Sequence, residues 1–436
     1  MESIGQYLKG VREALNLPLQ EVCKRTNIDT TLLSRIENGR RLPTKDQVIH
    51  LVRLYACDEH KSLVLLGSEK VLSALDGDDE YKLEVIQAAA EKIRSGNNAK
   101  RFDLESRRYI GNKAKLTGWI MNIIREQTGG FHSFFDVFAG TASVSKAAMP
   151  YADHIIMNDF LYSNHIIYKA FFGEGEYDEA KLLRLLARYN RTNPDDIPDN
   201  YFSAHFGDKF FDYKNAKLIG WVREEIEKHR KSLTEKEYAI LLAALIYSID
   251  KIANTVGHFD AYIKKSIAYH PLTLHLIKPL SPKSVEIYRE DSNLLAERIC
   301  ADVAYIDPPY NSRQYSRFYH IYENLITWEK PELFGVAMKP KPQNMSAYCT
   351  TKATTAFRDL IMKLQVKYIA VSYNNTYDAK SGSSENKITL EEIRSILEQK
   401  GKTTVYDCAH KCFNAGKTEF IDHKELLFIT EVDDER

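Results

Sequence analysis

Apolar residues in the first part of the chain recur at helical spacing. Ile4, Leu8, Val11 and Leu15 fall on one face. Asn16-Leu17-Pro18 interrupts them, and Pro18 suits the first turn of a new helix. That helix is expected from Leu19 to Arg25, with Asn27 and Asp29 as turn and cap. Thr30 to Glu37 makes a third helix, stopped by Asn38-Gly39. A helix is expected from Val48 to Leu66, and another from Asp78 to Arg94 with Leu83, Ile86, Ala90 and Ile93 on one side. Ser95-Gly96-Asn97-Asn98 ends it, and the charged stretch Lys100 to Arg108 reads as a linker.

Beyond Tyr109 the pattern changes. An amphipathic helix, Leu116 to Gln127, leads into an apolar strand, Phe134 to Phe138, and a loop of small residues, Ala139 to Ser143. Small residues after a strand let backbone approach a ligand closely, although they also serve tight packing. Ile155-Ile156-Met157 is a second strand, ending at Asn158-Asp159. Tyr168 to Ile287 is long, charged and mostly helical, for example Lys217 to Arg230 and Glu235 to Ile252. Asp302 to Ile306 reads as a buried strand, and Pro308-Pro309 stops it because proline donates no N–H.

The composition belongs to a water-soluble globular chain: 436 residues, 44% hydrophobic and 28% charged. The formal net charge is zero, so contacts with nucleic acid must come from local basic patches. There is no bilayer-length apolar run and no leader pattern at Met1-Glu2-Ser3, so a cytoplasmic protein is expected, without membrane contact. The six cysteines are scattered and read as reduced thiols. Their one cluster, Cys408-Ala409-His410-Lys411-Cys412, lacks a zinc spacing, and no metal is expected.

The chemistry concentrates at Asp307-Pro308-Pro309-Tyr310. Carboxyl ends of strands are where open α/β sheets bind ligands. The amine of a nucleobase is a poor nucleophile, because its lone pair is delocalised into the ring. The Asp307 carboxylate and the Pro308 carbonyl can accept its two hydrogens and localise that pair. Tyr310 can stack on the base, worth about 1–3 kcal/mol. Asp159, at the end of the second strand, can take a pair of ribose hydroxyls.

Two resemblances follow. Two short helices, a tight turn and a polar-faced second helix describe a helix-turn-helix. Leu19-Gln20-Glu21-Val22 and Leu32 to Pro43 resemble the Cro/cI-like (XRE) family. That resemblance implies Gln20 at a phosphate cap, Thr30, Thr31, Ser34 and Arg35 facing bases, and Arg40 and Arg41 near phosphates. Such modules also bind proteins, and Leu32, Leu33 and Ile36 read as core. Tyr109 to Lys113, Asp136 to Ala142, Asn158-Asp159, Asp291 and Asp307 to Tyr310 occur in the order of the alpha-group adenine-N6 DNA methyltransferases. Asn311 to Tyr315, Tyr319-His320, Glu323-Asn324 and Val371 to Asn374 look most like the FokI-methylase branch.

The second resemblance implies an α/β, Rossmann-like S-adenosylmethionine-dependent domain with a helical insertion. The expected layout is an all-α helix-turn-helix domain over 1–68, a helical linker over 69–107 and a methyltransferase domain over 108–432. Target recognition would fall at about 169–287. S-adenosylmethionine would lie across Phe138-Ala139-Gly140, after Asp136 on the same strand. Tyr109 and Lys113 would line its methionine end, Asp159 its ribose and Asp291 its adenine. Asp307, Pro308 and Tyr310 would be catalytic, acting on an adenine flipped out of double-stranded DNA. The glycine loop holds fewer glycines than the family usually shows.

Gly257 to Lys265 is aromatic and basic; His258, Tyr262 and Lys264 either meet DNA or sit in a loop packed on the core. Arg313 and Arg317 suit solvent or phosphate better than a base. Pro340 to Ser346 and Ala379 to Asn386 read as mobile loops, the first over the site. The expected protein is the site-specific modification enzyme of a restriction-modification system, whose fused helix-turn-helix either represses transcription at an operator or adds DNA affinity; a restriction endonuclease for the same site is a candidate partner. The alternatives are a cytosine-N4 or RNA methyltransferase, and a non-enzymatic regulator.

Overall fold

The computed structural model describes residues 3–75, 78–96, 101–264, 267–375, 387–409 and 424–433. The loop read at Ala379 to Asn386, and His410 and Cys412 of the cysteine cluster, lie outside them. The chain divides into two compact units, Met1–Ala99 and Lys100–Arg436.

The first unit is helical. Its helices are α1 (Ile4–Ala14), α2 (Leu19–Thr26), α3 (Thr30–Glu37), α4 (Lys45–Tyr55), α5 (Glu59–Ser73) and α6 (Asp79–Gly96). Ser3 and Gln6 form a reciprocal capping box on α1, and Pro18 stands at the N-cap of α2 rather than inside it. Asn27 takes a left-handed conformation and Asp29 accepts from the Thr31 and Leu32 amides, giving the tight turn. Ile4, Leu8, Val22, Leu33, Val48 and Leu51 are buried together. Arg12 forks onto Glu37, with Nε 2.7 Å from Oε1 and Nη2 2.8 Å from Oε2. The single helix expected from Val48 to Leu66 is two, because Ala56 turns left-handed (φ 49°) and Asp58 caps a new start. On α6, Leu83 is 60% exposed, so its expected apolar side is solvated at that end.

The stretch Arg101 to Arg108, read as linker, packs into the second unit. The Phe102 amide donates to Leu276 O and its carbonyl accepts from Lys278 N, while Leu104 and Arg107 are buried. A charged sequence hid this, since backbone pairing needs no apolar side chain.

Among the described residues seven strands form one sheet: β1 (Ser133–Asp136), β2 (His154–Asn158), β3 (Val285–Tyr288), β4 (Cys300–Ile306), β5 (Gln365–Asn374), β6 (Gly401–Ala409) and β7 (Lys424–Val432). Their spatial order is β3-β2-β1-β4-β5-β7-β6. The first five are parallel and β7 is antiparallel to both neighbours. Alternation sorts the core into two layers. Phe134, Val303 and Tyr305 face one side, and Phe135, Ala304 and Ile306 the other.

The remaining helices are α7 (Thr117–Thr128), α8 (Ser143–Ala148), α9 (Tyr162–Phe171), α10 (Glu179–Arg191), α11 (Tyr201–Phe206), α12 (Tyr213–Lys228), α13 (Glu235–Ile252), α14 (Ser292–Leu295), α15 (Tyr315–Phe318), α16 (His320–Thr327), α17 (Ala353–Lys363) and α18 (Leu390–Leu397). Residues of α7, α9, α10, α12, α13 and α16 join the first layer, and those of α14, α17 and α18 the second. The chain runs outward through β1, β2 and β3, then returns to lay β4 on the other flank of β1. That reversal opens a crevice at the carboxyl ends of β1 and β4. No helix among the described residues is long and apolar enough to cross a membrane.

Candidate active site

A cleft of about 740 Å³ occupies this crevice. Every expected cofactor and catalytic position lines it: Tyr109, Lys113, Asp136, Phe138, Ala139, Gly140, Asp159, Asp291, Asp307, Pro308 and Tyr310. Their gathering follows from topology. The carboxyl ends of β1, β2, β3 and β4 supply Asp136, Asp159, Asp291 and Asp307, or the turns just after them.

One wall is backbone. Gly140 has φ +53°, a conformation costly for other residues, and a Cβ there would stand 3.6 Å from the Tyr109 ring. Its amide donates to Asp159 Oδ2 at 3.1 Å and its carbonyl accepts from the Tyr168 hydroxyl at 2.8 Å. Asp159 Oδ1 accepts from the Leu161 amide at 2.8 Å. Burial pushes the Asp159 carboxyl above its ordinary value, and the amide donors oppose that rise. Asn158 pins the strand ends, donating to Val137 O and Glu290 O and accepting from the Glu290 amide. Asp291 is exposed and caps α14 through the Asn293 and Leu294 amides.

A second wall is aromatic. Tyr109 stacks on Tyr319 with centroids 4.7 Å apart and 7° between planes, and its hydroxyl accepts from Asn164 at 3.2 Å. Phe138 meets Tyr348 edge-on at 5.0 Å. Asn344, Met345 and Ser346, from the loop expected over the site, line the cleft. Gln314 holds that loop, accepting from Ser346 N at 2.7 Å and donating to Ser346 O at 2.9 Å.

The charged centre is Asp307. Lys113 Nζ lies 3.2 Å from Asp307 Oδ1 and 2.7 Å from Glu425 Oε1. Burial alone would lower the Lys113 ammonium; the two carboxylates outweigh it and hold its pKa well above the ordinary value. Burial raises Asp307 to about 6, with Lys113 opposing the rise and Glu425 adding to it. Tyr310 stands edge-on to Tyr373 at 5.9 Å, with Lys113 Nζ 5.8 Å from its ring centre. An acceptor of elevated proton affinity thus sits beside an aromatic face in the cleft. That arrangement can orient a planar amine and take its proton once the nitrogen has become cationic.

Glu425 was not anticipated. Lys424-Glu425-Leu426 reads only as the start of a late strand, and no local pattern marks its carboxylate. Asn112 also escaped notice: its Oδ1 accepts from the Ala114 amide and the Thr141 and Ser143 hydroxyls, tying the first motif to the glycine loop.

The positions read for DNA lie elsewhere. Gln20, Thr30, Thr31, Arg35, Arg40 and Arg41 are exposed on the first unit, with Ser34 half-buried. In the second unit Phe259 is buried, His258 stacks on Phe318 at 4.7 Å and Tyr262 stands edge-on to Phe210 at 5.3 Å. The aromatics of that loop therefore pack on the core, while Lys264 is exposed. Arg313 has its guanidinium 5.8 Å from the Phe318 ring centre, and Arg317 donates to Pro340 O.

A family model described as D12 class N6 adenine-specific DNA methyltransferase matches residues 109–396. A helix-turn-helix domain model matches residues 3–62. The type II methyltransferase M.NlaIII of Neisseria lactamica is 30% identical over 328 residues, covering 72% of this chain and 95% of that protein. M.FokI of Planomicrobium okeanokoites is 31% identical over 320 residues, covering 69% of this chain and 48% of the larger protein. M.CviAII of Paramecium bursaria Chlorella virus 1 is 29% identical over 336 residues, covering 74% and 98%.

Proposed function

The chain belongs to the D12 class of N6 adenine-specific DNA methyltransferases, and from that premise we propose that it methylates a flipped-out adenine at a specific duplex site using S-adenosylmethionine. In this reading it is the modification enzyme of a restriction-modification system, and its helix-turn-helix unit makes a second DNA contact. The observation that carries it is Asp307, half-buried 3.2 Å from Lys113 at the crevice where the strand order reverses.

The residues fit the cofactor. The cleft has the volume of a small-molecule site. The left-handed Gly140 keeps a side chain out of the space beside the Tyr109 ring, and the buried Asp136 Oδ1 has no partner among the described residues. When bound, S-adenosylmethionine supplies an electrophilic methyl group on a cationic sulfur. Phe138, Ala139 and Gly140 would form the surface beneath it, with Tyr109 and Lys113 at its methionine end. Asp159 would accept from the ribose hydroxyls and Asp291 would face the adenine.

The protein's own work is orientation. Extruding the target base costs a few kcal/mol, least where pairing is already weak. Tyr310 offers a face to recover part of that by stacking. The Asp307 carboxylate and the Pro308 carbonyl accept the two amino hydrogens, which aims the nitrogen lone pair at the methyl group. Asp307 need not be strongly basic, because the amine becomes acidic only as it gains positive charge.

Incubation with unmethylated bacterial genomic DNA, and in parallel with bacterial RNA, and tritiated S-adenosylmethionine, followed by digestion to nucleosides, tests the reading. Label in N6-methyladenine is expected, and sequencing the modified sites then gives the recognised bases. Label only in N4-methylcytosine, or in RNA and not DNA, overturns the substrate assignment. In the same assay Asp307→Ala is expected to lose turnover by about a hundredfold or more while retaining cofactor affinity by calorimetry.

A further inference from the structure

Three ionisable side chains from three distant segments meet at the acid. Lys113 comes from the loop before α7, Asp307 from the end of β4 and Glu425 from the start of β7. The Lys113 ammonium is closer to Glu425 (2.7 Å) than to Asp307 (3.2 Å). Glu425 is fixed in turn by the Ser372 hydroxyl of β5, which donates to the same Oε1 at 2.8 Å. Lys113 and Glu425 are 7% and 3% exposed.

Stability does not explain the second carboxylate. Burying ions costs several kcal/mol each, and one ammonium already balances one carboxylate. With all three ionised the cluster carries a net charge of −1. That charge is useful only where positive charge passes.

We infer that Glu425 is a positioning residue for methyl transfer: it takes the tighter half of the Lys113 ammonium and so leaves Asp307 free to accept a proton. The inference rests on the function proposed above. As the adenine amine attacks, its lone pair becomes the new N–C bond and the C–S pair stays on sulfur. The nitrogen is then cationic. One N–H bond breaks, its pair returns to nitrogen, and the proton goes to the Asp307 carboxylate. The cluster passes from −1 to neutral, leaving a Lys113–Glu425 pair beside a neutral acid. Without the Glu425 charge the same step would take the cluster from neutral to +1, with the Lys113 ammonium buried. The other ionisable groups facing Asp307 are Tyr305 from its own strand, Asp136 from β1 and Tyr315 from α15, while Tyr310 faces Lys113. Asp136 and the tyrosines carry no positive charge, so none competes with Lys113, and burial favours the neutral form of Asp136.

The test is Glu425→Gln in the full chain, with Glu425→Asp beside it. Three quantities are read: the pH profile of kcat on DNA, S-adenosylmethionine affinity by calorimetry, and titration of the Asp307 carboxyl by carbon NMR on aspartate-labelled protein, assigned with Asp307→Asn. Expected for the glutamine variant are a plateau kcat lower by roughly tenfold or more and cofactor affinity within about twofold of wild type. Its acid limb and Asp307 midpoint should both move down by about one pH unit. The aspartate variant should recover part of both. An Asp307 midpoint that stays in place overturns the inference, as does a loss of kcat that the aspartate variant does not ease. If the glutamine variant does not fold, Ser372→Ala, which removes the hydroxyl fixing Glu425 Oε1 and also the one beside Tyr305, should move both readings the same way by less; no movement overturns the inference. A wild-type enzyme inactive on adenine in DNA would refute the function itself. The NMR titration would still show whether Glu425 sets the proton affinity of Asp307.

Discussion

Asp136 ends β1 with one carboxylate oxygen accepting from Ser145 at 2.6 Å and the other buried without a partner among the described residues. Burial raises its carboxyl to about 7, with Ser145 opposing the rise and Asp307 and Asp159 adding to it. In the unfolded chain an aspartate titrates near 4. Between those values the folded state binds the proton and the unfolded state does not, so this residue's contribution to stability falls as pH rises. Asp307, raised to about 6, acts in the same direction over a narrower window. Asp136→Asn is therefore expected to be less destabilised by raising pH than wild type. Melting temperatures at pH 5 and pH 8 without ligand check this; parallel slopes would mean that Asp136 is ionised throughout. At this scale the legible residues were those written contiguously. Asp307, Pro308 and Tyr310 stand together because one strand end presents all three. Glu425 acts from another strand, and its neighbours in sequence carry no trace of the contact.

The helices of the first unit were readable because caps and stops are local. Asp29, Asn27 and Gly39 act within a turn of their own positions. The break at Ala56 was missed because a non-glycine residue adopts the left-handed conformation there, which composition does not announce. Packing between helices is equally silent. Gly5 of α1 faces α3 so closely that a Cβ would lie 2.1 Å from the Ile36 carbonyl oxygen, which is backbone and cannot rotate aside. Gly5→Ala is thus expected to destabilise the first unit by about 1–3 kcal/mol through overpacking, despite alanine's higher helix propensity. Thermal melting of the full chain, with a lower transition for this unit and an unmoved one for the second, would show it. A melt equal to wild type would mean that α1 shifts away at no cost. In the second unit the strands Phe134 to Asp136 and Asp302 to Ile306 were plain from apolar runs. The pairing of Phe102 with the segment around Ile277 was not, because it joins stretches far apart in sequence.

Taken whole, the chain couples a helix-turn-helix unit to a methyltransferase unit. Exposed Thr30, Thr31 and Arg35 on the first, and the cleft around Asp307 in the second, predict separable functions. Arg35→Ala is expected to weaken binding of the isolated operator-type sites by about tenfold, the value of one good base or phosphate contact, while methylation of recognition sites stays within about twofold. Mobility-shift and methylation assays on the same preparation decide this, and equal loss of both would mean that the units bind DNA as one. The amino-acid sequence by itself determined which chemistry is present. Its motifs are short, contiguous and in the order of a known family, and each imposes its own local backbone: a proline-stopped strand, a small-residue turn, a capped helix. Only the tertiary structure decided how those pieces are charged and supported. It set β7 beside β5, which brought Glu425 to Lys113, and folded the His258 loop onto Phe318 and the core. Strand order and long-range packing arise from burying both faces of the sheet at once, and no stretch of the chain specifies that alone.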